Sequence, residues 1–186
     1  MPKHVCPWWV GYLLASPVRR WIGGSPERLL APYVKEGMTV VEPGPGMGFF
    51  TLPLARMVGP AGRVIAVDIQ PRMLESLQRR AAKARLSGHI VTHLAQPDRM
   101  GIPNSEAAAD LVLAFAVVHE MPSVSAFFAE AAELLKPGGI LLFAEPKGHV
   151  NTEAFAAGLE TARSNGLKEV ARPAVRRSHA AVLKKA

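Results

Sequence analysis

Runs of continuous Val, Ile, Leu and Ala alternate along this chain with longer stretches whose apolar residues recur every three or four positions. The first run, "MTVVEP" at 38–43, predicts a strand. Phe50, Pro53, Leu54, Met57 and Val58 then follow the stripe of an amphipathic helix, with Pro53 in its first turn and Gly59-Pro60 as its stop. "RVIAVDI" at 63–69 predicts the second strand, and "PRMLESLQRRAAKARLSG" a helix opened by Pro71 and closed by Gly88. "HIVTHL" (89–94) and "DLVLAFA" (110–116) predict strands three and four. "SVSAFFAEAAELLKPGG" reads as a helix ended by its Lys-Pro-Gly-Gly stop, and "ILLFAE" (140–145) as strand five. A further helix over 152–165 precedes two short runs, "LKEVARP" and "SHAAVLKK", that form a closing hairpin.

Strands that are apolar throughout and separated by helices belong to a sheet covered on both faces. The expected fold is α/β: a doubly wound, mostly parallel, seven-stranded sheet with helices on both faces and a C-terminal antiparallel hairpin. Residues 1–186 form a single domain, with 36–186 as the Rossmann-like core and 1–35 as an N-terminal helical lid or cap. No period of repeats is present. In such sheets the ligand crevice lies outside the carboxyl ends of the strands, where the strand order reverses. The loops after strands one, two, four and five therefore matter most.

Apolar residues make up 49% and charged residues 20% of the chain, values of a folded globular protein rather than a disordered one. The single cysteine, Cys6, excludes an internal disulfide framework, and together with the lack of a secretory leader it points to the cytoplasm. The longest apolar run, Leu111 to His119, holds nine residues between its charges, too few to cross a bilayer. A formal charge of +7 predicts attraction for anions without naming one: nucleic acid, an acidic membrane surface and a small anionic substrate all fit, as does charge kept for solubility.

The stretch "VVEPGPGMGFF" at 40–50 carries the chemistry. Glu42 ends the first strand, and Gly44, Gly46 and Gly48 allow positive φ and a close approach of backbone to ligand. Such a loop alone can be an ordinary tight turn. Asp68, 20 residues after Gly48 at the end of the second strand, changes that: an acid there can accept hydrogen bonds from the ribose hydroxyls of a nucleoside. Asp68 can also cap the helix that starts at Pro71, and the two roles are compatible. From Gly44 the chain reads G-P-G-M-G-F, with Phe49 where a dinucleotide fingerprint needs its third Gly or Ala, and no G-K-[ST] follows. Both observations weigh against a phosphate ligand.

With "VVEPGPGMG", "VIAVDI", "ADLVLAFAVVHEMP" and "LLKPGGILLFAEP" in this order, residues 36–186 resemble the class I, seven-stranded S-adenosylmethionine-dependent methyltransferases, in particular their small, insertion-free subgroup acting on small molecules. The resemblance implies S-adenosyl-L-methionine as cofactor and S-adenosyl-L-homocysteine as product. It places the backbone from Glu42 through Gly44, Pro45 and Gly46 to Gly48 around the methionyl part, and Asp68 on the ribose. It places Ile69 and Met73 on the adenine, Gln96 and Pro97 in the loop that reads the adenine amino group, and Ala114 and Phe115 on the methionyl side. Many relatives have Asp in that adenine loop. This chain has "AQPD", and Gln96 or Asp98 would serve instead.

A methyl group on a sulfonium is already electrophilic, so the protein needs chiefly to position the acceptor and exclude water. A base is required only where the acceptor stays protonated. His119 and Glu120 after strand four are the expected catalytic residues, with Glu145, Lys147 and His149 after strand five as further candidates at the crevice edge. His119 can equally hold its loop through a backbone carbonyl, and Glu145 either touches the acceptor or anchors the loop. Among His4, Cys6, His119 and His149 no pair has local metal-ligand spacing, so no metal is expected.

The segment "CPWWVGYLLASPVRRW" gathers Trp8, Trp9 and Tyr12, followed by Arg19 and Arg20. Its expected role is a lid that walls the acceptor pocket. A contact with a membrane surface, suiting a lipophilic acceptor, is the second reading, although Gly11 and Pro17 interrupt a continuous amphipathic helix. Packing against another subunit is a third, which leaves room for an oligomer. The leading function is methyl transfer to a small-molecule acceptor. The alternatives are a nucleic-acid methyltransferase and a module that binds the nucleoside without catalysis. "AFAVVHEMP" lacks the [DNS]-P-P-[YFW] of amino-methylating nucleic-acid enzymes and the Pro-Cys of cytosine-C5 enzymes, so nucleic acid is disfavoured as a partner. The basic residues Arg172, Arg176, Arg177, Lys184 and Lys185 are then read as one solvated hairpin face.

Overall fold

A computed structural model describes residues 25–103 and 108–186. The first described helix, α1 (Pro26–Leu30), precedes β1 (Thr39–Pro43) and α2 (Thr51–Val58). Then come β2 (Arg63–Asp68), α3 (Pro71–Lys83), β3 (Ile90–Leu94), β4 (Ala109–Phe115), α4 (Val124–Leu134) and β5 (Leu135–Pro146). The chain closes with α5 (Thr152–Ser164), β6 (Leu167–Ala171) and β7 (Ser178–Lys185). The seven strands form one sheet in the order β3-β2-β1-β4-β5-β7-β6. All pairings from β3 to β5 are parallel, and β7 enters antiparallel to both β5 and β6. This is the doubly wound sheet with a closing hairpin that the apolar runs predict.

Alternation along each strand separates two cores. Val40, Val64, Leu111, Leu113, Leu142 and Val182 face one side, where Leu54, Ala55 and Val58 of α2 cover them together with Leu30 and Val34. Val41, Ile65, Val112, Ala114, Leu141 and Phe143 face the other, under Phe127, Phe128 and Ala131 of α4 and Phe155, Leu159 and Ala162 of α5. Because Leu30 and Val34 are buried, the part of the N-terminal segment that is described packs into the core. Trp8, Trp9 and Tyr12 of the expected lid lie outside the described residues.

Two helix ends differ from the sequence pattern. α3 stops at Lys83, well before Gly88, because Arg85 itself takes the left-handed conformation (φ 58). The Arg85 N–H donates to Ala82 O at 3.0 Å and the Leu86 N–H to Ala81 O at 2.9 Å, a Schellman closure with Leu86 buried beneath it. A side chain with a Cβ is strained there, so Arg85→Gly is expected to stabilise the protein by roughly 0.5–1 kcal/mol, read as a raised urea midpoint. α4 likewise ends at Leu134, and Lys136-Pro137-Gly138-Gly139 belongs to the extended arm of β5. Pro137 keeps Lys136 out of the helical region, so a segment that reads as a stop also begins the next strand.

Candidate active site

The chain winds from β1 towards β3 on one side and from β4 towards β5 on the other, so the strand order reverses between β1 and β4. Glu42 and Phe115 stand at the carboxyl ends of these two strands, with Asp68 at the end of the adjoining β2. Glu42 is buried in spite of its carboxylate, and Phe115 packs its ring 4.6 Å from that of Phe50.

The three glycines of the loop do different work. All have positive φ: 65° at Gly44, 54° at Gly46 and 90° at Gly48. A Cβ at Gly44 would lie 2.6 Å from Val117 in the loop after β4, and one at Gly48 would lie 2.7 Å from Leu77 of α3. A Cβ at Gly46 would meet nothing within 4 Å, so that peptide faces open space. Gly44 and Gly48 thus serve close packing, and Gly46 keeps the crevice clear. From this, Gly44→Ala should lower the thermal midpoint by displacing Val117. Gly46→Ala should cost only the backbone strain of about 1 kcal/mol yet weaken cofactor binding, a contrast that melting curves with and without S-adenosylhomocysteine resolve.

Asp68 binds this loop to the start of α3. Its carboxylate accepts the Gln70 N–H at 2.8 Å and the N–H groups of Ile69 and Gly46. Burial pushes its pKa up to about 6, with the nearby Glu120 charge adding to the rise and the backbone N–H groups opposing it. The carboxylate therefore meets the start of α3 and stays in a site that disfavours its charge. Arg80 of α3 donates from Nη1 to Met47 O at 2.7 Å and holds the loop from behind, its pKa lowered by burial.

On the other side of the crevice, Glu145 at the end of β5 is only 1% exposed. Its Oε1 accepts the N–H groups of Val118 (2.8 Å) and His119 (3.3 Å), and its Oε2 lies 2.5 Å from His119 Nδ1. Since a carboxylate only accepts, Nδ1 carries the hydrogen and Nε2 of the neutral ring is left as an acceptor. That Nε2 lies 3.2 Å from Nδ1 of His149, an exposed residue on the turn after β5. The Glu145 hydrogen bond is the main cause that raises the His119 pKa above its ordinary 6.5, against the opposing effect of burial.

The expected site residues differ in their exposure and partners. Glu145, for which the sequence leaves both acceptor contact and loop anchoring open, is enclosed and directs both oxygens into the 118–119 loop, the anchoring arrangement. Gln96 is exposed, and its Oε1 accepts from Arg99 Nε at 2.8 Å, which leaves one lone pair of the oxygen expected to read the adenine amino group. Pro97 and Asp98 are exposed on the same turn, and Ile69 is half-buried beside Asp68. Met73 is buried, and Ala114 is enclosed within the core. Pro45 is buried within the glycine loop. Arg80 escaped the sequence reading, although its position next to the buried Ala81 was a signal. Among the described residues no group of three or more His, Cys, Asp or Glu could hold a metal ion. No described helix is long and apolar enough to cross a membrane.

Residues 41–143 match the family described as a methyltransferase domain. The ubiquinone biosynthesis O-methyltransferase of Methylocella silvestris is 31% identical over 136 residues, covering 73% of this chain and 50% of that protein. The ribosomal protein L11 methyltransferase of Pelotomaculum thermopropionicum is 35% identical over 136 residues, covering 71% of this chain and 41% of its own. The chain thus spans about half the length of such curated relatives. A solved S-adenosylmethionine-dependent methyltransferase from Aquifex aeolicus superposes with a TM-score of 0.84 at 24% identity, over 97% of this chain and 98% of that one. The chain belongs to the methyltransferase-domain family. Within it, the sheet order is that of the class I architecture, and S-adenosylmethionine is the cofactor that the family uses.

The crevice fits that cofactor on its own terms. The open face of Gly46 leaves room for a ligand against the backbone, and an acid held in a charge-disfavouring site gains from hydroxyl donors such as those of a ribose.

Proposed function

We propose that this chain transfers a methyl group from S-adenosylmethionine to a small-molecule acceptor whose nucleophilic atom carries a proton, and that His119 removes that proton. The observation that supports this most is the fixed orientation of the His119 ring by Glu145, which leaves Nε2 as a basic site at the carboxyl end of β4.

The bound cofactor supplies an electrophilic methyl group on a positive sulfonium. Glu42 to Gly48 and Asp68 hold and orient it, and Phe50 and Phe115 keep water from one wall. The exposed His149 ring gives up its contact with His119 to an acceptor hydroxyl. His119 Nε2 would take the hydroxyl proton as the methyl group passes to the acceptor oxygen, the C–S bond breaking with its electron pair left on the sulfur of S-adenosylhomocysteine, and Glu145 would stabilise the resulting imidazolium. His119 Nε2 would then return the proton to solvent as the methylated acceptor leaves.

The Methylocella relative is named as an O-methyltransferase, which agrees with a base at this point. The Pelotomaculum relative is named for a ribosomal protein, and the +7 charge of this chain keeps a macromolecular acceptor as the second reading. The test is release of S-adenosylhomocysteine from S-adenosylmethionine across phenols, catechols and thiols, with RNA and ribosomal protein as comparisons. Turnover of hydroxyl acceptors that is lost in His119→Ala supports the proposal. Turnover of RNA or protein alone contradicts it.

A further inference from the structure

A cleft of about 570 Å³ opens between the first turn of α5, the loop after β5 and the β6–β7 turn, a volume typical of small-ligand pockets. We infer that it is the anion-binding subsite of the acceptor: it receives a planar small molecule carrying a carboxylate or phosphate group, held by Lys147 and Arg176. The inference rests on the methyltransferase reading above and adds the charge class of the acceptor.

Topology divides the basic hairpin residues that the sequence groups together. β7 runs antiparallel to β5 with Ser178 opposite Pro146, so the turn over 172–177 stands at the carboxyl ends of the parallel strands. Lys184 and Lys185, opposite Ile140 and Leu167, stand towards the other edge, and Lys185 Nζ donates to Leu135 O at 2.6 Å. The Lys147 N–H donates to Arg177 O at 3.0 Å, which ties the β6–β7 turn to the loop after β5. Lys147 also sits between Glu145 and His149 in the chain, and the His149 N–H closes that turn on Pro146 O at 2.9 Å. One tight turn therefore joins the cleft to the Glu145, His119 and His149 series.

The lining has the composition of an anion site. Lys147, Arg172 and Arg176 face the cleft, and neither Asp nor Glu lines it. Arg172 is held by Glu169 through two bonds of 2.6 and 3.0 Å, whereas Lys147 and Arg176 are exposed and make no ion pair among the described residues. Like charges that face one cleft repel each other, and an anion held between them removes that repulsion. The floor is aromatic and anchored: His179 stacks on Phe155 at 5.3 Å, and Phe155 on Phe143 of the core at 4.8 Å. A planar acceptor can stack on the His179 ring that Phe155 backs, present its anion to Lys147 and Arg176 and direct its nucleophile towards His119. A basic face kept only for solubility needs neither the concavity nor the ring floor.

The full chain is titrated with benzoate, phenyl phosphate and benzamide by ligand-observed NMR, with and without saturating S-adenosylhomocysteine, and alongside the Lys147→Gln/Arg176→Gln variant. The charged ligands are expected to bind more tightly than benzamide and to lose roughly tenfold or more in the variant, while S-adenosylhomocysteine affinity is unchanged. A preference for benzoate identifies a carboxylate and a preference for phenyl phosphate identifies a phosphate, and both support the subsite. Equal binding of benzamide, or anion binding that the variant retains, overturns it. So does a short single-stranded RNA that binds through these two residues where benzoate does not, since the surface then serves a polyanion. Failure of S-adenosylhomocysteine to bind strikes the methyltransferase reading separately, because the titrations without it still decide the subsite.

Discussion

Replacing His119 by alanine is expected to lower kcat for hydroxyl-bearing acceptors by roughly a hundredfold to ten-thousandfold, the usual contribution of a positioned base, with S-adenosylmethionine affinity unchanged. The reason is geometric. Glu145 takes Nδ1 and leaves Nε2 as the acceptor at the crevice. An acceptor that is already ionised at assay pH, such as an aromatic thiolate, should lose far less, and this contrast separates a base from a residue that merely shapes the loop. Since Glu145 raises the His119 pKa, the acidic limb of the pH–rate profile should fall above pH 6.5, with activity rising as the ring loses its proton. In Glu145→Gln the limb should move down towards the ordinary value and kcat should fall. The sign for stability is the reverse of that for activity. The contribution of the charged pair is complete below the unfolded pKa near 6.5 and is lost as pH rises through the higher folded value.

Asp68→Ala should weaken S-adenosylmethionine binding by roughly a hundredfold or more, since the two ribose hydrogen bonds proposed for its carboxylate, each worth about 1.5–3 kcal/mol, would be lost together. With an apo pKa of about 6, the wild-type affinity should be level above that pH and fall by up to about tenfold per unit below it, because the ribose hydroxyls favour the ionised carboxylate. The same raised value costs the folded protein stability at neutral pH. The Asp68 contribution is complete below the unfolded pKa and is lost as pH rises through about 6. Asp68→Asn should therefore raise the apo unfolding midpoint at pH 7.5 and not at pH 4. The interval from 3.8 to about 6 bounds that gain at about 3 kcal/mol. A variant that is more stable and no longer binds cofactor would identify a site whose stability is sacrificed to its ligand.

Residues placed by chain position alone are legible in the sequence. Glu42, the glycine loop and Asp68 fall at strand ends, and strand ends follow from apolar runs and their period. The same runs gave the parallel sheet and the closing hairpin. What stayed hidden depends on contacts between distant segments. Arg80 and Met47 lie 33 residues apart, and no local pattern distinguishes Arg80 from Arg79 except the helix face. Val117 against Gly44, and Glu145 turned inward to the backbone of Val118, are equally long-range. Arg85 at a left-handed position defies the preference for glycine, so α3 ends before the Gly88 to which the pattern points. The five basic hairpin residues looked like one face because sequence proximity cannot show that a hairpin carries its turn and its tail to opposite edges of the sheet.

The most direct test of the central claim is calorimetric titration of the purified chain with S-adenosylmethionine, S-adenosylhomocysteine and NAD, with Asp68→Ala measured beside it. One-to-one binding of the first two, none of NAD, and loss in the variant is the predicted result. Absence of S-adenosylmethionine binding, or NAD bound as tightly through the same residue, would contradict the account.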